Sequence, residues 1–109
     1  MTEIFDRQAL LERVEGNEEL LEELVHIFLD YTPRQLQKLR QALEVGDASG
    51  LQGQAHSLKG AAASISAEAV RQVAGQLEIS GKNRDLEEAQ LLLEALIQEF
   101  ARFQEVLER

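Results

Sequence analysis

The chain has no cysteine among its 109 residues. That excludes disulfides, thiolate catalysis, and zinc or iron–sulfur sites held by cysteine. Histidine is almost as scarce: His26 and His56 stand thirty residues apart, so no local histidine metal motif exists. Basic residues are outnumbered 11 to 20, for a formal net charge of −9. Nucleic-acid binding needs clustered Lys and Arg to meet phosphates, and that balance argues against it. Acidic helix surfaces that keep a small domain soluble account for most of the charge. No apolar run approaches the roughly 20 residues of a membrane span. The opening Met1-Thr2-Glu3-Ile4-Phe5-Asp6 lacks the basic segment and apolar core of a secretory signal. A soluble, cytoplasmic protein is the expectation. Strand alternation is missing too, and β-branched residues are too scattered for a sheet.

What is present is helical periodicity, in a length that suits one domain with a modest core. A short helix is predicted over about 6–15, capped by Asp6, with Phe5 placed to staple onto Leu10 and Gly16 closing it. Asn17 caps a second helix over about 17–45, whose Leu21, Leu24, Val25 and Phe28 share a face. Thr32-Pro33 either starts a new helix or bends one long one. Since Leu36, Leu39 and Leu43 resume the same stripe, one bent helix is the prediction. Asp47 caps a third helix over about 47–64. Ser66 is assigned as cap of a fourth over about 67–80, with Val70, Val73, Ala74 and Leu77 inward and Glu78 at the border of that face. Gly81 to Asp85 reads as a turn, and a fifth helix over about 85–108 carries Leu86, Ala89, Leu93, Leu96, Phe100, Phe103 and Leu107. This last helix is expected to supply most of the core. Short connections make sequential helices antiparallel neighbours, so the predicted fold is an all-α, up-down four-helix bundle with a short extra N-terminal helix.

The third helix has an unusual outer face. Leu51, Ala55, Leu58, Ala62 and Ile65 fall within about 40° of one another on the wheel and form the buried stripe. His56, Lys59, Gly60 and Ala63 lie outside it, where long charged side chains usually stand. Gly53 and Gly60 bracket His56, and a helical glycine is worse than alanine by about 1 kcal/mol. Facing away from the core, they serve one physical use: a partner's close approach. Neutral imidazole is a nucleophile, and a phosphoryl group on it needs nearby positive charge, which Lys59 supplies. A carboxylate taking the Nδ1 proton would leave the lone pair on Nε2, and Glu78 is the candidate. A surface histidine beside a lysine is also simply common. His26, between Glu22 and Asp30 at i−4 and i+4, reads as that solvated kind.

Ala55-His56-Ser57-Leu58-Lys59-Gly60-Ala61-Ala62-Ala63 resembles the signature of histidine phosphotransfer (HPt) domains, Ala-His-x-Leu-Lys-Gly. Phe28 through Pro33, Leu39, Gly46-Asp47 and Leu77-Glu78 resemble the family's flanking positions, so the likeness covers nearly the whole chain. The resemblance implies a phosphorelay intermediate. His56 would accept phosphate on Nε2 from a receiver aspartate and pass it to another receiver. Lys59 would neighbour the phosphoryl group and Glu78 orient the imidazole. Gln52, Gly53, Gly60, Ala63 and Ser64 would form the docking rim. It implies a monomeric phosphocarrier with no ATP-binding or kinase activity, no metal or other cofactor of its own, and magnesium on the partner receiver. One departure is Ser66, where many members have glycine; the turn is expected to differ without loss of function. Three alternatives stand beside this one. The phosphoacceptor domain of a chemotaxis kinase shares the His–Lys–Gly chemistry. The dimerisation region of a sensor kinase needs an acidic residue after the histidine, and Ser57 does not fit. A non-catalytic helical adaptor leaves the glycines unexplained.

Overall fold

A computed structural model describes residues 3–108, and every regular element among them is helical. The five helices are α1 (Arg7–Arg13), α2 (Glu18–Val45), α3 (Ala48–Ser64), α4 (Glu68–Lys82) and α5 (Leu86–Leu107). Four starts are fixed by a side-chain oxygen that accepts an otherwise unpaired backbone N–H: Asp6 from Ala9, Asn17 from Leu20, Asp47 from Gly50 and Asp85 from Glu88. The closures at Gly16 and Gly46 use left-handed backbone, φ 78° and 72°.

Pro33 lies inside α2, which runs unbroken for 28 residues. At about 1.5 Å per residue it spans roughly 42 Å, matching the 43 Å long axis of the molecule. Proline has no N–H for the Leu29 carbonyl. Beside it the buried Thr32 hydroxyl donates back to Phe28 O at 2.8 Å.

Helix α3 packs on α2 and α4, and α5 also packs on α2 and α4, so these four elements close a ring of neighbours. The stripe predicted on α3 is the inner face: Leu51, Ala55, Leu58 and Ala62 are fully buried and Ile65 nearly so. The core is shared more evenly than expected. Helix α5 places Ala89, Leu93, Leu96, Phe100 and Phe103 in it, and α2 matches that with Leu21, Val25, Phe28, Leu39 and Ala42. What α5 adds is bulk. Phe103 meets Phe5 and Phe28 edge-on, each at 5.3 Å between ring centres, and stacks on Phe100 at 6.4 Å.

Two turn assignments need correction. Ser66 caps nothing: Ala67 holds the cap position of α4 and makes no side-chain cap bond. Ser66 instead takes the left-handed conformation, φ 59°, with its hydroxyl buried and unpartnered. Gly81 is not in the turn after α4 either. It is helical and buried, and the left-handed residue of that turn is Arg84, φ 57°. The reason is contact: a Cβ on Gly81 would lie 2.9 Å from Gln52 N and 3.1 Å from Ala48 O, so α3 occupies the space.

Candidate functional site

The buried residues of α3 and α4 are mostly small, Ala48, Ala55 and Ala62 on one and Ala69, Ala74, Ser80 and Gly81 on the other, alongside Leu51, Leu58, Val70 and Leu77. The contact of Gly81 with Gln52 and Ala48 pairs the end of α4 with the start of α3. One turn further along α3 and one turn back along α4 stand His56 and Glu78.

Glu78 joins two predicted site residues. Its Oε2 lies 2.9 Å from His56 Nδ1 and its Oε1 lies 2.6 Å from Lys59 Nζ. The Lys59 hydrogen bond holds the Glu78 carboxyl below the usual carboxylate range, the His56 bond adds to this, and burial opposes both. An ionised carboxylate can only accept, so Nδ1 carries the proton and donates it. The His56 side chain is 68% exposed, and among the described residues Nε2 is the ring nitrogen left without a protein partner. In the neutral ring that nitrogen holds the lone pair.

The lysine differs from the sequence reading in one respect. Beyond standing near His56, its ammonium is ion-paired to Glu78. Its alkyl chain crosses α4 at Gly75, where a Cβ would sit 3.4 Å from Lys59 Cδ. Gly53 and Gly60, by contrast, face open space, with nothing within 4 Å of an added Cβ. Gln52, Ala63 and Ser64 flank the histidine along the same helix, half-buried or exposed.

Sequence reasoning missed the supports on either side. Gln35, buried on α2, donates from Nε2 to Gln54 Oε1 at 2.9 Å. Tyr31, also on α2, is hydrogen-bonded with Ser57, and partial burial raises its phenol pKa. At the far end of α3, Arg13 of α1 donates to the carbonyls of Ala63 at 2.7 Å and Ser64 at 3.1 Å. These carbonyls belong to the last turn, which has no helical donors. A polar residue at a period that points between helices was the available signal for Gln35; nothing in the sequence marked Arg13.

His26 is exposed on α2 and lines a groove of about 710 Å³ with Phe5, Val25, Leu29 and Leu107. Among the described residues, no three His, Cys, Asp or Glu side chains gather as a metal-ligand group. Nor is any helix there long and apolar enough to cross a membrane.

Fold and site together define a class, an all-helical domain presenting one oriented, accessible histidine. The family described as Hpt domain matches residues 23–106, and the chain belongs to that family. It is 34% identical over 89 residues to the phosphorelay intermediate protein rdeA of Dictyostelium discoideum, an alignment covering 82% of this chain. The chain spans only 35% of that relative's length. Among solved structures, histidine-containing phosphotransfer protein B of Pseudomonas aeruginosa superposes with a TM-score of 0.89 at 28% identity, over 96% of this chain and 91% of that one. A histidine-containing phosphotransfer protein of Medicago truncatula shares the fold, with TM-score 0.85 and 24% identity over 96% of this chain and 75% of the other.

Proposed function

We propose that this domain is a phosphorelay intermediate that accepts a phosphoryl group on His56 Nε2 from the aspartate of one receiver domain and delivers it to another. The observation that carries this reading is the His56–Glu78 bond, which occupies Nδ1 and leaves Nε2 as the exposed nucleophile. In the transfer, the Nε2 lone pair forms the N–P bond while the aspartyl O–P bond breaks and the receiver's carboxylate leaves. The Nδ1 proton stays in place, so the ring gains a positive charge that the Glu78 carboxylate balances. Delivery reverses each step. Lys59 gives one N–H to Glu78 and keeps two more for phosphoryl oxygens. Positioning and charge compensation are the main levers in phosphoryl transfer, and these are what the residues supply.

Docking is assigned to the rim of Gln52, Gly53, Gly60, Ala63 and Ser64. The open space over Gly53 and Gly60 supports it, since no internal contact explains two glycines in a helix. Magnesium belongs to the receiver, and this chain holds no cofactor. The domain works as a monomer in the cytoplasm, without nucleic acid. Its arrangement is an antiparallel up-down four-helix bundle of α2–α5 with α1 added at the end of α3. The closed ring of neighbours and the Arg13 bonds to α3 support that arrangement.

Phosphorylated receiver domains provide the test. Label should pass to the wild-type chain in an acid-labile, base-stable form, and His56→Gln should abolish transfer while the helical circular dichroism persists. A labelled His56→Gln protein would remove His56 as acceptor.

A further inference from the structure

We infer that Gly81 is a positioning residue: by letting α4 rest against the backbone of α3, it sets the tautomer of His56. The inference deepens the proposed function at the same site and depends on that reading only for its consequence in transfer.

Gly81 is a poor helix former placed inside a helix. It is not there for a special conformation, because its φ is not positive. Space is the remaining reason. A Cβ would fall 2.9 Å from Gln52 N, 3.0 Å from Gln52 Cα and 3.1 Å from Ala48 O. All three are backbone atoms, which cannot swing aside as a side chain can. Any larger residue therefore separates the two helices.

The separation acts where it matters for the histidine. Gly81 and Glu78 are three residues apart on α4, and Gln52 and His56 are four apart on α3, so both pairs share a face one turn apart. The Glu78–His56 bond is 2.9 Å long. Hydrogen bonds fail by about 3.5 Å, so a displacement of roughly half an ångström removes it. Glu78 has little freedom to follow, because its other oxygen is held by Lys59 at 2.6 Å. Without that acceptor nothing selects Nδ1–H over Nε2–H, and the lone pair is no longer confined to the outer nitrogen.

The tautomer is read directly from imidazole nitrogen chemical shifts of the uniformly labelled chain, at a pH where the ring is neutral. His26, exposed on α2, serves as reference in the same spectrum. Wild type should show His56 mainly as Nδ1–H. Gly81→Val should at least halve the Nδ1–H fraction and move it toward the His26 pattern. Gly81→Ala, with the smaller intrusion, should fall between and covers the case in which the valine variant does not fold. Glu78→Ala marks the full loss. Phe100→Ala, which loosens the core away from this contact, should leave the tautomer as in wild type. The inference is overturned if the folded Gly81 variants keep the wild-type tautomer, or if Phe100→Ala shifts it as much. No receiver enters the measurement, so its failure is separate from any failure of His56 to accept phosphate.

Discussion

The α3–α4 pair and the α2–α5 side of the molecule are built from different materials. On α3 and α4 alanine, serine and glycine make up most of the buried residues, beside Leu51, Leu58, Val70 and Leu77, and the backbones nearly touch at Gly81. Across α2 and α5 leucine and phenylalanine dominate the filling, with Phe28, Phe100 and Phe103 in mutual contact and Phe5 closing on Phe103. Charge divides in the same way. Residues 48–84 carry four basic and two acidic side chains, while the rest of the chain carries seven and eighteen. Stability per residue comes from buried apolar area, which small side chains hardly provide. Precise spacing comes from backbone contact, which large flexible side chains hardly provide. The molecule thus separates what holds it together from what aims His56, and it concentrates negative charge away from the histidine.

The division is broken most strongly from the aromatic side. Phe103 is fully buried and touches Phe5, Phe28 and Phe100. Phe103→Ala should cost about 3–5 kcal/mol, a large share of the ~5–15 kcal/mol typical of a small domain. Chemical denaturation should show the midpoint fall. If the division is sound, the protein that remains folded transfers phosphate at the wild-type rate.

The next effect has the opposite sign and falls on the turn between the two small-residue helices. Ser66 pays twice, in a left-handed conformation that hinders a Cβ and in a buried hydroxyl with no partner. Ser66→Gly relieves both, less the extra freedom glycine has when unfolded. A net stabilisation of about 1–2 kcal/mol is expected, seen as a higher denaturant midpoint at unchanged slope. The Ser66 carbonyl that accepts from Asp6 N is unaffected.

The sequence disclosed the periodic features and concealed the contacts. The Leu51 to Ile65 stripe, the caps Asp6, Asn17 and Asp47, and the continuity of α2 through Pro33 were legible because each depends on local spacing. Glu78 was legible as a border residue, and its reach to His56 followed once α3 and α4 were read as neighbours. Ser66 and Gly81 were misread because backbone contacts overrode residue preference. Serine is a good cap and glycine a good turn former, yet the backbone closure of α3, with Ala67 N bonded to Ala62 O, took Ser66 and backbone contact with α3 took Gly81. Arg13 and Gly75 went unnoticed because their partners lie on other helices, 50 and 16 residues away in the chain.

The smallest expected effect sits on the aiming side, in the pH dependence of Glu78. Its carboxyl is held below the usual carboxylate range by the Lys59 hydrogen bond, against the opposing pull of burial, with the His56 bond adding to the lowering. A folded-state value below the unfolded one stabilises the protein above about pH 4.5, and the contribution is lost as pH falls through the folded-state value. The magnitude is less than about 1 kcal/mol, since His56 and Lys59 both reach solvent. Wild type and Glu78→Gln should therefore differ slightly in stability near pH 7 and converge as the pH falls through the folded-state value of Glu78. Phosphotransfer at neutral pH should differ far more than stability, because the glutamine cannot balance the charge on a phosphorylated ring. A variant that lost stability and transfer in proportion would place Glu78 with the aromatic residues, among the groups that merely hold the domain together.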